Sequence, residues 1–296
     1  MFKGSMVAIV TPFNNGRLDE EKLKELVEFH LKNKTSAIVP CGTTGESATL
    51  SLAEHERVIE LVVETAKHRI PVIAGTGSNN TAEAIRLTKH AKEAGADAAL
   101  LITPYYNKPT QKGLYLHFKL IAENVDIPII LYNIAGRTAV NMLPETIAQL
   151  AHEFKNIVGV KEASGNLEQM ACVKMLGPKD FLLISGDDTL TLPLLSIGGV
   201  GVISVVANII PQDVANMVEE FEKGNLKKAR EIYYKMLPLV RAMFLETNPI
   251  CVKTAMEILG MCEPGLRLPL CPMDKENFNK LKLAMKDYGL LRKKKK

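Results

Sequence analysis

Eight short apolar runs, each followed by a longer segment of helical pattern, constrain this chain more than any other feature. They are Met6–Val10, Ala37–Pro40, Pro71–Ala74, Ala98–Thr103, Pro128–Tyr132, Ile157–Lys161, Phe181–Ser185 and Val200–Val205. Runs that are apolar throughout suit parallel strands covered on both faces. The segments between them carry helix signals. Ser51-Leu52-Ala53-Glu54 is a capping box, Asn80 stands three residues before Glu83 in the same way, and Gly95 follows His90-Ala91-Lys92-Glu93 as a stop. Eight βα units fit a closed barrel better than an open doubly wound sheet, and the first βα turn lacks a G-x-G-x-x-G fingerprint. The expected fold class is α/β: a (β/α)8 TIM barrel over residues 1–224, then a C-terminal helical bundle over 225–296. Only helical patterns occur in that last part, at Leu226–Leu245, Pro249–Met261 and Asp274–Leu290.

Charge and cysteine content exclude several classes. The formal net charge is +4, but Arg292 to Lys296 carry +5, which leaves −1 on the rest. A nearly neutral body with 5% aromatics and no tryptophan lacks a nucleic-acid surface. The basic tail reads as a solvated end. No apolar run is long enough for a signal peptide or a membrane span. The five cysteines form no CxxC pair. Free thiols without an export signal point to a reducing compartment, so a cytoplasmic protein is expected.

In such a barrel chemistry sits at the C-terminal ends of the strands. The polar residues collect there: Thr11, Gly42-Thr43-Thr44-Gly45-Glu46, Gly75-Thr76-Gly77, Thr103-Pro104-Tyr105-Tyr106-Asn107, Tyr132-Asn133, Lys161-Glu162, Ser185-Gly186-Asp187-Asp188 and Ser204. Lys161 ends an otherwise apolar strand. Alternation puts Ile157, Gly159 and Lys161 on one face, and the valines Val158 and Val160 suit the helix side. Gly159 would leave room for the lysine stem, and the same parity brings Tyr132 of the neighbouring strand beside the amine. A lysine in a dry cavity loses affinity for its proton, and the neutral amine attacks carbonyls to form a Schiff base. The competing reading is a structural lysine paired with Glu162 or Asp187.

Gly42 to Glu46 suggests an anion nest of backbone N–H groups and threonine hydroxyls for a carboxylate. Gly198-Gly199-Val200-Gly201 precedes the last strand, so it reads as a tight αβ turn at the opposite end of the barrel. The six histidines (30, 55, 68, 90, 117 and 152) all fall in helical patterns. That leaves no histidine triad, no metal site and no expected cofactor. Acid–base work would fall to tyrosine, threonine or a carboxylate.

The combination of Gly42-Thr43-Thr44-Gly45-Glu46, Pro104-Tyr105-Tyr106-Asn107-Lys108-Pro109, Tyr132-Asn133-Ile134-Ala135-Gly136-Arg137-Thr138 and Gly159-Val160-Lys161-Glu162-Ala163 resembles the dihydrodipicolinate synthases, within the pyruvate-dependent class I lyases. The resemblance covers essentially the whole chain. It implies condensation of pyruvate with aspartate semialdehyde in lysine and diaminopimelate biosynthesis. Lys161 would form the imine, with the pyruvate carboxylate at Thr43 and Thr44. Gly186 and the Ile203 backbone would line the pyruvate end, and Arg137 would clamp the semialdehyde carboxylate. Tyr132, Thr44 and Tyr106 would relay protons, with Tyr106 reaching across from a neighbouring subunit of a homotetramer, a dimer of dimers. In lysine-inhibited members the product binds at a subunit interface; the matching positions are Ser47, Ala48, Leu52, His55, Asn79, Glu83 and Tyr105. Leu52 departs from the polar or basic residue frequent there. Ala135 stands where proline is usual, which would loosen the Arg137 loop. Two alternatives stay open: a sister aldolase acting on a sugar acid, which generally lacks the Gly-Arg-Thr, and a non-catalytic barrel that senses a keto acid and needs no Lys161.

Overall fold

The computed structural model describes residues 2–291; the basic tail, Arg292 to Lys296, lies outside them. Eight parallel strands form one sheet: β1 Gly4–Ala8, β2 Ala37–Val39, β3 Ile73–Gly75, β4 Ala98–Ile102, β5 Ile129–Asn133, β6 Ile157–Glu162, β7 Leu182–Ser185 and β8 Gly201–Ser204. β1 pairs with both β8 and β2, and a parallel bridge between Ile38 and Val72 joins β2 to the start of β3. The bond from the Gly75 N–H to the Pro40 carbonyl (2.9 Å) continues that seam, so the barrel closes.

Alternation along the strands separates two apolar environments. Met6, Ala8, Val39, Ile73, Leu100, Ile130, Tyr132, Ile184 and Ile203 fill the barrel. Val7, Ile38, Leu101, Leu131, Val160 and Val202 face the helices. The covering helices are α1 Glu20–Leu31, α2 Leu52–Ala66, α3 Thr81–Glu93, α4 Gln111–Asn124, α5 Pro144–Glu153, α6 Leu167–Leu176, α7 Thr191–Ser196 and α8 Pro211–Glu222. The capping box forms on α2, with the Ser51 N–H 3.0 Å from the Glu54 carboxylate and the Glu54 N–H 3.3 Å from the Ser51 hydroxyl. On α3 the box is incomplete. Asn80 caps the Ala82 N–H at 3.0 Å, but Glu83 accepts from the Ser78 hydroxyl instead.

One hairpin escaped the sequence reading. Phe13–Asn14 and Arg17–Leu18 pair antiparallel across Asn15 and Gly16, both at positive φ (49° and 74°). Asn-Gly is the usual signal for that turn, and it stands in the sequence. The glycine run before β8 is the αβ turn expected of it, between α7 and β8. His68 is a correction: it sits in a turn just after α2, not in a helix.

Three helices follow: α9 Leu226–Ala242, α10 Ile250–Ile258 and α11 Lys275–Tyr288. Met236, Leu239, Val252, Met256, Leu281 and Met285 join one continuous core with Val214 and Met217 of α8 and Val7 of β1. We propose the division at residue 224 as one of topology, since the appended helices share the barrel's packing.

Candidate active site

Lys161 is the last residue but one of β6, in register with Tyr132 of β5. A register shift at Val158 alters the expected parity: Ile157 joins the helix-facing core and Val158 packs toward the barrel interior. The bulge leaves Val160 outside and Lys161 inside. Gly159 does not make room for the lysine stem. A Cβ there would lie 2.7 Å from the Leu182 Cβ and carbonyl. The room comes from Gly186, where a Cβ would stand 3.1 Å from the Lys161 Cε.

The amine is nearly closed off, with Lys161 6% exposed. Its Nζ lies 4.2 Å from the centroid of the Tyr132 ring. Burial lowers its pKa from 10.5 to about 7; the negative Asp188 opposes this and Arg137 reinforces it. Neither expected carboxylate pairs with it. Glu162 turns away to the Asn133 amide (3.2 Å) and the Ser164 N–H (2.8 Å), and Asp187 accepts from the Thr189 N–H (2.7 Å). Asp188 is held by the N–H groups of Val205 (3.0 Å) and Val206 (3.2 Å). The same burial moves Tyr132 the other way, to about 12, against the pull of Arg137 and the Thr43 hydroxyl. Tyr132 therefore stays a phenol near neutral pH, beside an amine that is half unprotonated.

The Gly42–Glu46 segment turns across the mouth after β2. The Glu46 N–H bonds the Thr43 carbonyl (3.1 Å) and the Ser47 N–H bonds the Gly42 carbonyl (3.4 Å). The chain passes through left-handed backbone at Glu46, φ 54°. That unfavourable conformation in a non-glycine residue is held by a buried ion pair between Glu46 and Lys253 of α10, with side chains 0% and 1% exposed. Lys253 also donates to the Gly265 carbonyl (2.6 Å), and the Arg267 N–H reaches Glu46 at 3.3 Å. The Phe13 ring takes Lys253 at 4.3 Å and Arg267 at 4.1 Å from its centroid. Thr44 is buried, and its Oγ1 accepts a hydrogen bond from the Asn248 Nδ2 at 2.9 Å.

Arg137 sits in a helical turn, Ala135–Thr138, after β5. It reaches the Thr247 hydroxyl (3.4 Å) and the Asn248 carbonyl (3.3 Å). The turn is closed by the Thr138 and Ala139 N–H groups, without proline at 135. A cavity of about 450 Å³ opens here, lined among others by Thr43, Arg137 and Asn248. Its wall also includes Ser47, Ala48, Leu52, His55, Glu83 and Tyr105, so these positions adjoin the mouth within one chain. Asn79 is apart, donating to the Tyr105 carbonyl at 3.2 Å. Tyr106 is 90% exposed, at φ 71°, and does not line this cavity. Gly186 lines a smaller cavity of about 310 Å³ with Ala163, Asp187, Arg241 and Phe244, and Ile203 lies inside the barrel.

A sequence model of the Dihydrodipicolinate synthetase family matches residues 1–288. The chain belongs to this family. The 4-hydroxy-tetrahydrodipicolinate synthase of Endomicrobium trichonymphae is 59% identical over 292 residues, 99% of this chain and 100% of that protein. The crystal structure of dihydrodipicolinate synthase from Aquifex aeolicus superposes with TM-score 0.97 at 52% identity, covering 98% of this chain and 99% of that one. Two further crystal structures are a synthase from Cyanidioschyzon merolae with lysine bound (TM-score 0.95, 43% identity, 98% and 99% covered) and one from Acinetobacter baumannii complexed with pyruvate (TM-score 0.96, 45% identity, 98% and 100% covered).

For this member of the synthetase family, sequence reading missed Asn248 and Lys253 as parts of the mouth. Both lie more than 200 residues from the loop they hold, in a segment read only as helix. Among the described residues no cluster of three metal-type side chains occurs.

Two outcomes are expected. The unfolded chain keeps the Lys161 proton up to about pH 10.4, whereas the native chain releases it near 7, so the unfolded state binds more protons between those values. Lys161 thus costs stability, fully at pH 7 and below, and the cost fades toward pH 10. Lys161→Met should raise the urea midpoint at pH 7, by an amount that shrinks at pH 9.5; a gain independent of pH would contradict the burial argument. Lys253→Met should destabilise by about 3–5 kcal/mol by stranding Glu46. Adding Glu46→Gln should recover part of that in the same denaturation experiment.

Proposed function

We propose that this chain is a 4-hydroxy-tetrahydrodipicolinate synthase, condensing pyruvate with L-aspartate 4-semialdehyde through a Schiff base on Lys161. The single observation that carries the reading is the Lys161 amine, paired with no carboxylate among the described residues, its pKa lowered by burial to about 7, and set against Tyr132. The family and the names of the relatives support it over a sugar-acid aldolase or a keto-acid sensor.

The neutral amine adds to C2 of pyruvate, and loss of water gives the imine. Among the described residues the Thr43 and Thr44 backbone N–H groups have no hydrogen-bond acceptor, which suits them to the pyruvate carboxylate. Loss of a C3 proton leaves an enamine, whose carbon attacks the semialdehyde carbonyl. The Arg137 fork takes that substrate's carboxylate. The semialdehyde's own amine then attacks C2, which frees Lys161 and closes the ring. Tyr132, with its proton held to about pH 12, acts by passing protons through hydroxyls rather than as a free phenolate.

Thr44 and Tyr106 complete that relay in our reading. Tyr106 does so for a neighbouring subunit, because it is exposed here and does not line this chain's own cavity. Tyr106 shared in this way requires at least a dimer, and a homotetramer, a dimer of dimers, is the assembly we propose. A cytoplasmic setting is part of it and is supported by the five unpaired cysteines; no described helix is long and apolar enough to cross a membrane. L-Lysine is the proposed inhibitor at Ser47, Ala48, His55, Glu83 and Tyr105, with Asn79 at the edge. His55 is held neutral by burial, its pKa lowered to about 4, so it adds no positive charge against the ligand's ammonium.

Borohydride reduction in the presence of pyruvate should trap one adduct per chain, on Lys161 by peptide mapping; an adduct elsewhere would sink the mechanism. Arg137→Ala should leave that trapping intact while weakening semialdehyde use by about 1.5–3 kcal/mol in kcat/KM, the value of a hydrogen bond to a charged group.

Lysine titration of the activity should show weak inhibition. Leu52 offers no hydrogen bond where a polar residue would add about 0.5–1.5 kcal/mol. Glu83→Ala should weaken it further, and full activity at tens of millimolar lysine would mean that these positions are unused.

A further inference from the structure

We propose that Asn248 is a positioning residue for the reaction, orienting the Thr44 hydroxyl so that its proton points into the relay. The proposal rests on the reading of Thr44 as a relay member. Asn248 is 6% exposed, and its Nδ2 donates to the Thr44 Oγ1 at 2.9 Å. Its Oδ1 is buried without a partner. The opposite amide orientation would strand both N–H donors, where this one strands a single N–H and the carbonyl oxygen, and a buried carbonyl oxygen is left unpaired more readily than an N–H group.

A threonine hydroxyl has one proton and two lone pairs. With one lone pair taken by the amide, Thr44 keeps one acceptor site and one proton. That is the minimum needed to take a proton on one side and give one on the other. An amide can only donate through Nδ2, so the Thr44 proton cannot rest on it and must face elsewhere. No other side chain among the described residues bonds Thr44, and without the amide the buried hydroxyl would be free to rotate onto local carbonyls. The backbone carbonyl of the same residue accepts from Arg137 at 3.3 Å, so a side-chain substitution at 248 leaves that contact available.

The test is a cycle of Asn248→Ala, Thr44→Val and the double variant, reading kcat and both KM values. Asn248→Ala should lower kcat about tenfold or more, the scale of one buried hydrogen bond. Both KM values should stay within about twofold, and Thr44→Val should abolish the further loss. Equal loss in both backgrounds, or a matching rise in the semialdehyde KM, would assign Asn248 a merely structural role and overturn the proposal. A Thr44→Val variant with undiminished kcat would instead overturn the relay itself.

Asn248→Asp supplies a second arm. Its carboxylate accepts but cannot donate, whereas the protonated acid donates as the amide does. The ratio of its kcat to the parent's should therefore climb as pH falls from 8 to 6, whereas any rise in the Lys161 pKa beside the new carboxylate would push the ratio the other way. A flat ratio would count against the proposal.

Discussion

The buried pair of Glu46 and Lys253 is the fastening on which the mouth of this barrel depends. An ion pair removed from water carries a desolvation cost that its own attraction offsets only with good geometry and further hydrogen bonds. Here those bonds are present: the Gly265 carbonyl on the lysine, the Arg267 N–H on the carboxylate, and the Phe13 face between Lys253 and Arg267. The pair joins the turn after β2 to α10, so the loop proposed to hold the pyruvate carboxylate is placed by a helix outside the barrel. The hydrophobic alternative would pack as well, but would not hold Glu46 in left-handed backbone or tie the Thr43–Thr44 N–H groups to one register.

That arrangement explains why the appended helices cannot be treated as an accessory. Asn248 and Lys253, five residues apart around the start of α10, reach Thr44 and Glu46, two residues apart in one turn. Arg137 comes to the same place from β5 through Thr247 and the Asn248 carbonyl. Three separate parts of the chain thus meet at residues 247–253. A shift of that segment would disturb the proposed pyruvate and semialdehyde contacts together, and positioning of reactants within fractions of an ångström is where such a site derives much of its rate.

The sequence carried the barrel because its signal is local and repeated: apolar runs, caps and the residues after each run. The lysine and tyrosine were legible for the same reason, since strand parity and adjacency of β5 and β6 are short-range consequences. Parity failed at Val158, where a bulge inserts a residue; Gly159 beside it is the kind of strand glycine that marks a bulge, but it was read as space for the lysine. Gly159 drew the wrong explanation because its contact, Leu182, lies on the next strand; the stem of Lys161 is cleared by Gly186, just past the end of that same strand. Asn248 and Lys253 left no signal, for an asparagine before proline reads as a turn and a lysine in a helix as solvent-facing. Only tertiary packing turns either toward the mouth.

Burial is the agent that prepares Lys161 and Tyr132 for the roles proposed for them, and it acts on the two in opposite senses. Desolvation penalises whichever form is charged, so the lysine loses its proton more easily and the tyrosine less. The pKa values near 7 and 12 leave a window of about five units in which amine and phenol are both neutral. Nucleophilic attack needs the first condition, and passage of a proton through a hydroxyl needs the second. Had the phenol been tuned down to serve as a base, its anion would have stood on the ring whose centroid lies 4.2 Å from the amine and raised the lysine's proton affinity, undoing the nucleophile. A hydroxyl chain oriented by neighbours avoids that conflict, because it moves protons without leaving charge beside Lys161. The dry barrel interior therefore favours a relay over a general base, and orientation of each hydroxyl becomes the property that the surrounding residues must supply.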